Sequence, residues 1–379
     1  MKIITVIGAR PNFVKLAPLI PAVKKYSSIK MKTVHTGQHY DYNMSKIFFE
    51  SASGGFDLPK PDFYLKVGSD SHARQTGRVM MAFEKIVLAE KPDLIIVIGD
   101  VNSTLAAGLV AAKLHIPLAH IEAGVRSFDR TMPEEINRVV TDSLSDILFA
   151  PSNHAVANLL KEGIPRRKIF MVGNIMMDTL FSNLNRINKS TTVQQLKLIP
   201  RKYAVLTLHR PSNVDNKIIF MRIVKALNQI KKRINIIWPV HPRTHQQISR
   251  FKMERFFSSA LSANPSSSGA ITLIKPLSYT DCLGLFKQAA FVLTDSGGVQ
   301  TETTALGVPC LTIRPNTEWI ETISHGTNRL VGTNPQRIVK EAGRILARSA
   351  RAGRIKLPKY WDGCTAQRIV KIIHHWSRR

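Results

Sequence analysis

Short apolar runs alternate with longer amphipathic stretches through the first half of the chain. The runs are nearly continuous in Ile, Val and Leu, as strands buried on both faces must be. They occupy residues 3–7, 32–36, 94–98, 118–121 and 147–150, and stretches long enough for crossover helices occupy 13–26, 72–90, 102–114 and 134–145. This alternation predicts a parallel, doubly wound sheet.

The same pattern restarts in the second half. Further apolar runs occupy residues 203–208, 236–240, 271–274, 291–294 and 310–313. The polar stretch 185–202 separates the two series, so a hinge is expected near it or up to about twenty residues earlier. A length of 379 residues also favours two domains. The sequence therefore predicts an α/β fold with two Rossmann-like, doubly wound parallel-sheet domains.

Composition and charge narrow the class of protein. With 44% hydrophobic residues, the chain is typical of a globular protein, and no apolar run approaches the roughly 20 residues that a membrane span needs. The formal charge of +28 is compatible with an anionic substrate, with a nucleic-acid or membrane partner, or with a basic solvated surface. Because nucleic-acid recognition motifs are absent, we favour the solvated surface and expect neither a nucleic-acid nor a membrane partner.

Several familiar motifs are missing from the sequence. The three cysteines, Cys282, Cys310 and Cys364, lack the spacing of a disulfide or metal framework. The apolar run after Met1 is short and has no cleavage site, so it predicts a first strand and not a signal peptide. Neither a dinucleotide fingerprint nor a GxxxxGK phosphate loop is present. We therefore expect a cytoplasmic protein with no metal and no cofactor.

In an open parallel sheet, ligands bind beyond the carboxyl ends of the strands. The first apolar run ends in Gly8-Ala9-Arg10-Pro11-Asn12, and Lys15 follows one turn into the next helix. Two cations near a helix N-terminus fit a phosphate or carboxylate site. A plain turn followed by a surface lysine fits equally well.

Three acidic residues follow later elements of the first half. Asp100 comes directly after a predicted strand, where it could simply cap the next helix, whereas Glu122 follows the next strand without an obvious capping role. Glu134 begins a helix, a common position for an acid, and Arg138 lies four residues further on the same face. Two acids at neighbouring strand ends favour an acid-base site over two separate caps.

The second half contains a different group of polar residues after its strands. His209-Arg210 follows one predicted strand, and His241 follows the next. Asp295-Ser296-Gly297-Gly298 places small residues after a strand and before a helix, where backbone N–H groups can approach a diphosphate. Glu302, one turn into that helix, could accept the hydroxyls of a ribose. The alternative is an ordinary tight turn.

Taken together, these motifs resemble those of the non-hydrolysing UDP-N-acetylglucosamine 2-epimerases. The resemblance runs from one end of the chain to the other. It is carried by Gly8-Ala9-Arg10-Pro11, Thr36-Gly37-Gln38-His39, Gly99-Asp100, Glu122-Ala123-Gly124, Pro133-Glu134-Glu135-Ile136-Asn137-Arg138, His209-Arg210, Asp295-Ser296-Gly297-Gly298 and Trp361-Asp362-Gly363.

The resemblance implies a glycosyltransferase-B arrangement with the active site in the interdomain cleft. It implies an N-terminal domain of residues 1–172 plus 364–379, whose last helix crosses back, and a UDP-binding domain of residues 173–363. It further implies a cytoplasmic homodimer that converts UDP-N-acetylglucosamine to UDP-N-acetylmannosamine for surface polysaccharides. The implied route eliminates UDP to form 2-acetamidoglucal and then adds UDP back.

The resemblance also assigns roles to individual residues. The catalytic set is Asp100, Glu122, Glu134 and His209, and which acid removes the proton stays open. The substrate-binding set is Arg10, Lys15, Arg138, His209, Ser296, Gly297, Gly298 and Glu302. Positions that bind an activating second substrate molecule in some relatives correspond to Gln38, His39, Arg74 and Gln75.

Two positions depart from the common pattern of this family. Cys282 stands where some members have an aromatic residue near the uracil, and Trp319 stands where many have an arginine. A tryptophan at this place also occurs in relatives that act on 2,3-diacetamido uronates, so the exact sugar stays open. The alternatives are epimerisation of such a UDP-sugar, a glycosyltransferase of the same fold, a hydrolysing epimerase, and a basic binding protein without activity.

Overall fold

The computed structural model describes residues 1–37, 58–259, 269–347 and 356–378. Contacts between Cα atoms divide the chain into two compact units. Unit 1 comprises Met1–Ser182 and Pro358–Arg379, and unit 2 comprises Asn183–Leu357. The chain thus passes between units at 182/183 and 357/358, near the boundaries at 172/173 and 363/364 that the sequence predicts.

Unit 1 is built on a seven-stranded sheet in the lateral order β3-β2-β1-β4-β5-β6-β7. All neighbouring strands are parallel. The strands are β1 (Lys2–Ile7), β2 (Lys30–His35), β3 (Phe63–Tyr64), β4 (Leu94–Ile98), β5 (Leu118–Ile121), β6 (Ile147–Ala150) and β7 (Ile169–Met171). The central strands β4, β5 and β6 are buried at every position, which explains their continuous apolar sequence.

Unit 2 repeats this plan with a second seven-stranded parallel sheet, in the order β10-β11-β9-β8-β12-β13-β14. Its strands are β8 (Tyr203–Thr207), β9 (Asn235–Pro239), β10 (Ser258–Ser259), β11 (Ile271–Ile274), β12 (Phe291–Thr294), β13 (Cys310–Thr312) and β14 (Asn328–Leu330). The predicted pair of parallel-sheet α/β domains is confirmed. The short outer strands β3, β7, β10 and β14 were not predicted, because two or three residues are too few to produce a pattern.

Helices connect the strands of both sheets. In chain order they are α1 (Arg10–Leu16), α2 (Leu19–Lys24), α3 (His72–Glu90), α4 (Asn102–Lys113), α5 (Pro133–Leu144), α6 (Asn153–Lys161), α7 (Ile175–Ser182), α8 (Leu184–Asn188), α9 (Thr192–Gln195), α10 (Pro211–Val214), α11 (Lys217–Ile230), α12 (Pro242–Arg250), α13 (Tyr279–Lys287), α14 (Gly297–Leu306), α15 (Glu321–Ser324), α16 (Pro335–Ala347) and α17 (Thr365–Trp376). Two 3₁₀ turns occupy Arg166–Lys168 and Glu254–Phe256.

The last helix of the chain, α17, packs within unit 1 against α2 and α7. Its start is capped by Asp178 of α7, whose carboxylate accepts the backbone N–H groups of Thr365 at 3.1 Å and Ala366 at 2.7 Å. These two bonds satisfy N–H groups that have no partner inside the helix. The C-terminal residues therefore complete the first unit.

Apolar side chains fill the space between each sheet and its helices. In unit 1, Phe83 and Val87 of α3 pack with the interior residues of β1 and β4. In unit 2, Trp238 of β9 meets Phe220 of α11 edge to face, with ring centroids 6.4 Å apart. Because the strands within each sheet run parallel, the carboxyl ends of all strands of one unit lie at the same edge of its sheet.

Candidate functional site

The turn after β1 is organised by Asn12. Its Oδ1 accepts the backbone N–H groups of Gly8 at 3.1 Å and Ala9 at 2.9 Å, and its Nδ2 donates to the carbonyl of Ile98 at 2.9 Å. This buried amide therefore joins the end of β1 to the end of β4. The sequence alone did not predict this role of Asn12. Arg10 begins α1, and its side chain lies outside the described part of the chain.

Glu122 lies directly after β5 and forms an ion pair with Lys15 of α1. The Lys15 ammonium donates to Oε2 of Glu122, and the two side chains are 9% and 8% exposed. The other carboxylate oxygen, Oε1, is buried and makes no hydrogen bond to the described residues. A buried acceptor without a donor is costly, so this oxygen is available to a ligand. The resemblance implied a substrate-binding role for Lys15, and in unit 1 its ammonium group contacts Glu122.

The backbone at Glu122 is strained. Its φ of +74° lies in the left-handed region, which costs a non-glycine residue roughly 1–3 kcal/mol. Gly124, two residues later, has a φ of +78°, and an added Cβ there would lie 2.3 Å from the carbonyl oxygen of Ala155. Strain of this kind occurs where a side chain must be aimed at a particular point.

Asp100, which follows β4, is held by Arg138 of α5. The Arg138 guanidinium donates to Asp100 Oδ2 and, at 3.0 Å, to Glu135 Oε2. Asn137 adds a bond of 2.9 Å from its Nδ2 to the backbone carbonyl of Asp100. The side chain of Asp100 is still 33% exposed, although Arg138 is buried. This carboxylate is therefore oriented by a guanidinium and remains accessible.

The two adjacent acids at the start of α5 have different environments. Glu135 is buried and accepts hydrogen bonds from the backbone of Ser127 and Phe128, each at 2.9 Å. Glu134 is half-buried, and its carboxylate makes no hydrogen bond or ion pair to a described residue. The sequence suggested a pair between Glu134 and Arg138; the structure gives Arg138 to Glu135 and Asp100 instead. Glu134 is thereby left available for chemistry.

The positions associated with a second substrate molecule separate in the structure. Gln38 and His39 lie outside the described residues. Arg74 is exposed on the first turn of α3. Gln75 is buried, donates to the carbonyl of Gly68 at 2.9 Å and accepts from Asn102 at 2.8 Å. Gln75 therefore has internal partners on both sides of its amide.

In unit 2, the Ser296-Gly297-Gly298 segment forms the start of α14. Ser296 is the N-cap residue, and no described side chain caps the helix. The first N–H groups of this helix therefore remain open to an anion. Gly297 packs against Trp319, since an added Cβ would lie 3.1 Å from the indole Nε1. Trp319 is buried, and the sequence alone did not predict its position beside this loop.

His209 follows β8 and pairs with Asp295, which follows β12. The His209 Nδ1 lies 3.1 Å from Asp295 Oδ1, and the side chains are 43% and 0% exposed. Asp295 also accepts the backbone N–H groups of His209 and Arg210 and the amide of Asn213. Burial raises the pKa of Asp295, but the hydrogen bonds from His209, Arg210 and Asn213 outweigh it and lower the pKa overall. The His209 imidazole is therefore held by a buried carboxylate and remains partly exposed to solvent.

A cluster of charges lies next to Trp319. Glu318 accepts from Arg210 at 3.2 Å and from Arg314 at 2.6 Å, and the side chains of Glu318 and Arg314 are each 4% exposed. These bonds join the segment after β13 to the segment after β8. Arg314 was not predicted from the sequence, because nothing in its spacing distinguishes it from a surface arginine.

Glu302 lies on α14, one turn beyond the glycines, and is buried. Burial raises its pKa to about 8, although a hydrogen bond with Tyr279 of α13 acts in the opposite direction. A buried carboxyl group is poorly hydrated, so hydrogen bonds from ligand hydroxyl groups would stabilise it. Cys282, expected near the uracil, lies on the same helix α13 as Tyr279.

Each unit thus places its candidate functional groups at one sheet edge. Unit 1 offers three carboxylates, Asp100, Glu122 and Glu134, suited to acid-base chemistry. Unit 2 offers an open helix N-terminus and the imidazole of His209, suited to a diphosphate. Across residues 1–37, 58–259, 269–347 and 356–378, no group of three His, Cys, Asp or Glu side chains is arranged to hold a metal ion. Within the same ranges, no helix combines the length and the apolar character that crossing a membrane demands.

The chain is similar to known proteins along nearly its whole length. A family model described as UDP-N-acetylglucosamine 2-epimerase matches residues 21–374. The UDP-N-acetylglucosamine 2-epimerase of Methanocaldococcus jannaschii is 44% identical over 378 residues, which cover 98% of this chain and 99% of that protein. The UDP-2,3-diacetamido-2,3-dideoxy-D-glucuronate 2-epimerase of Pseudomonas aeruginosa is 41% identical over 352 residues, covering 92% and 93%.

The fold is also similar to a solved structure with bound ligands. The crystal structure of the Methanocaldococcus jannaschii UDP-GlcNAc 2-epimerase in complex with UDP-GlcNAc and UDP superimposes with a TM-score of 0.89. The match has 42% sequence identity and covers 99% of this chain and 100% of that one.

Proposed function

Because this chain belongs to the UDP-N-acetylglucosamine 2-epimerase family, we propose that it interconverts UDP-N-acetylglucosamine and UDP-N-acetylmannosamine without releasing free sugar. The observation that carries this proposal is the state of Glu122. Its carboxylate is buried on a strained backbone, is oriented by Lys15, and keeps one oxygen without a partner among the described residues. That is the environment expected of a group that exchanges a proton with a substrate.

The chemistry requires more than simple proton exchange. Carbon 2 of the sugar has no neighbouring carbonyl group that would acidify its proton. In the proposed route a base takes that proton, the bond between carbon 1 and the UDP oxygen breaks, and a double bond forms between carbons 1 and 2. The UDP oxygen then attacks carbon 1 again while carbon 2 receives a proton on its other face. No oxidant or reductant is needed.

We assign the proton transfers to unit 1. Glu122 and Glu134 each have a carboxylate oxygen that makes no hydrogen bond to a described residue, so each can accept or donate a proton. Arg138 orients Asp100, which remains accessible. Lys15 orients Glu122 through Oε2 and leaves Oε1 to the sugar. Which carboxylate removes the proton from carbon 2 stays open.

We assign the leaving group to unit 2. The open N-terminus of α14, with Ser296, Gly297 and Gly298, would accept the diphosphate, and His209 would stabilise the charge that develops on it. Glu302 would accept the ribose hydroxyls. Arg10 remains a proposed substrate-binding residue on the resemblance alone.

A second candidate substrate is UDP-2,3-diacetamido-2,3-dideoxy-D-glucuronate. It is favoured by the 41% identity to the epimerase that acts on this sugar and by Trp319, which packs against Gly297 at the proposed diphosphate site. This alternative changes the sugar and leaves the reaction the same.

The wider setting is also a proposal. The family resemblance supports a homodimer that acts in the cytoplasm and supplies a nucleotide sugar for polysaccharide synthesis. Light scattering after size-exclusion chromatography would measure the assembly directly. A mass near twice 42.4 kDa is expected, and a mass near 42.4 kDa would exclude the homodimer.

The activity can be tested with the purified protein and UDP-N-acetylglucosamine in deuterated water, without an acceptor. We expect NMR to show UDP-N-acetylmannosamine with deuterium at carbon 2 of both sugars. Release of free N-acetylmannosamine would indicate a hydrolysing enzyme. No reaction with this sugar but deuterium uptake by the diacetamido uronate would select the second candidate, and inertness of both would contradict the proposal.

A further inference from the structure

His120 lies in the middle of β5 and is 0% exposed. It pairs with Val97 of β4 on one side and with Leu148 of β6 on the other, so it occupies a central position of the sheet. Its neighbours along the strand are apolar and buried. A valine or isoleucine would fit this position at lower desolvation cost, and the presence of an imidazole calls for a reason.

Both ring nitrogens of His120 have partners. Nε2 lies 2.8 Å from the backbone carbonyl of Gly99, and Nδ1 lies 2.6 Å from Asp142 Oδ1. The other carboxylate oxygen of Asp142 accepts the backbone N–H of Gly124 at 2.9 Å and the guanidinium of Arg126 at 2.6 Å. A continuous chain of hydrogen bonds therefore runs from the carbonyl of Gly99, through His120 and Asp142, to the N–H of Gly124.

The two ends of this chain are adjacent to the proposed catalytic acids. Gly99 precedes Asp100, and Gly124 follows Glu122 by two residues. Both glycines have positive φ values, +71° and +78°. The N–H of Gly99 donates to the carbonyl of Ile121 at 3.0 Å, so the turn after β4 is held to β5 at two points.

The partners of His120 determine its protons. A carbonyl oxygen can only accept, so Nε2 must carry a hydrogen. Burial raises the pKa of Asp142, but His120, Arg126 and the Gly124 N–H outweigh it and hold the pKa below its usual range. Asp142 is therefore a carboxylate that is held between the His120 ring and Arg126. Arg126 is shared with Glu162, whose carboxylate lies 2.6 Å from the guanidinium, which balances the charges around the ring.

We propose that His120 is a positioning residue: its buried imidazole joins the backbones beside Asp100 and Glu122 and sets the separation of these two acids. His120 itself does not reach a ligand, because both of its ring nitrogens have partners and the side chain is fully buried. Its contribution to turnover rests on the proposed epimerase function. Its bridging bonds do not.

The first test uses the complete protein without substrate. Protein labelled with ¹⁵N in its histidines is examined by NMR at pH 7.5, and the signals of His120 are assigned by their loss in His120→Gln. We expect Nε2 of His120 to carry a proton that exchanges only slowly with solvent, because this nitrogen is buried and bonded to the carbonyl of Gly99. An unprotonated Nε2, or an Nε2 proton that exchanges freely, would overturn the proposal.

The second test measures deuterium uptake at carbon 2 of UDP-N-acetylglucosamine by His120→Gln. A glutamine can keep one of the two bonds but cannot span both partners. Since a displacement of about 1 Å in a catalytic group can cost about 100-fold in rate, we expect kcat to fall on the order of 100-fold while KM changes less than about threefold. Rates are expressed per UDP-binding site, measured by calorimetry, so that a smaller folded fraction does not count as a loss of kcat.

The matched control is His154→Gln. His154 lies exposed on α6 of the same unit, and its substitution should leave kcat and KM unchanged. If kcat per UDP-binding site in His120→Gln equals that of His154→Gln, His120 has a structural role only and the proposal fails. If the wild-type protein does not turn over the sugar at all, the proposed function fails, and the NMR result alone then decides whether His120 forms the bridge.

Discussion

Among the described residues, each unit contains one histidine–aspartate pair, and the two pairs differ in their exposure to solvent. In unit 1, His120 and Asp142 are 0% and 1% exposed, and both imidazole nitrogens have partners. In unit 2, His209 is 43% exposed above a fully buried Asp295, and only its Nδ1 is bonded to a described side chain. The same two residue types thus form a closed pair in one unit and an open pair in the other.

The difference follows from where each histidine lies relative to its strand. His120 lies within β5, with neighbouring strands on both sides, whereas His209 comes two residues after the end of β8. Asp142 also accepts the backbone N–H of Gly124, and Asp295 accepts those of His209 and Arg210. A buried aspartate therefore organises the candidate site of each unit, and strand position decides whether the histidine can meet a ligand.

The largest expected effect is that of Glu122→Gln. A glutamine keeps the size of the side chain but cannot exchange a proton, so deuterium uptake at carbon 2 should fall on the order of 1,000-fold. The matched control is Glu84→Gln, which makes the same change at an exposed position of α3. Uptake by Glu122→Gln at the level of the control would remove Glu122 from the reaction.

The open pair can be broken with His209→Asn. If the imidazole stabilises the departing diphosphate, kcat should fall about 100-fold, and the affinity for UDP should also weaken. His245→Asn, at an exposed position of α12 in the same unit, serves as the control. Together with His120→Gln, this variant sharpens the contrast, because the closed pair should affect kcat without changing the affinity for UDP. Equal loss of UDP affinity in both variants would contradict the distinction.

The glycine at the start of α14 gives a smaller effect. In Gly297→Ala the added methyl group would press on Trp319 at 3.1 Å and shift the N–H groups that face the diphosphate. A cost of roughly 1–2 kcal/mol for such overpacking corresponds to about tenfold weaker UDP binding, measurable by calorimetry. Gly77→Ala is the control, because the space around Gly77 in α3 is open. Unchanged UDP affinity in Gly297→Ala would mean that the loop does not bind the diphosphate.

The smallest expected effect concerns the pH dependence of stability at Glu302. Burial raises the pKa of this carboxyl group in the folded protein to about 8, from an ordinary value of 4.5. Between these values the folded state holds a proton that the unfolded state has lost, so this contribution to stability is complete below pH 4.5 and is lost as the pH rises through 8. In Glu302→Gln the loss of stability with rising pH should be smaller. The Tm of this variant at pH 9 should therefore exceed that of wild type by roughly a few degrees.

The control for this measurement is Glu254→Gln, at an exposed position of unit 2. Asp295 does not interfere with the result, because its lowered pKa adds stability above its unfolded value of 3.8 and loses it only at lower pH. Parallel Tm curves for wild type and Glu302→Gln between pH 5 and pH 9 would show that Glu302 is ionised in the folded protein.

Several interactions at the two sheet edges were beyond sequence analysis. Asn12 joins residues 86 positions apart, and Lys15 meets Glu122 across 107 positions. Glu134 and Glu135 are adjacent and chemically identical, and only the packing of α5 against the Ser127 backbone separates a structural carboxylate from an available one. His120 looked like one more residue of an apolar strand, because the value of its imidazole depends on Gly99 and Asp142.

The sequence by itself determined the two parallel sheets, the strand ends that carry polar groups, and the family. Those features depend on local hydrophobic patterns and on residues that follow one another along the chain. Only the tertiary structure decided which acids are paired, which oxygen of Glu122 remains available, and which histidine is closed from solvent. Such properties depend on burial and on partners that lie distant in sequence, and hydrogen bonding and desolvation act on neighbours in space.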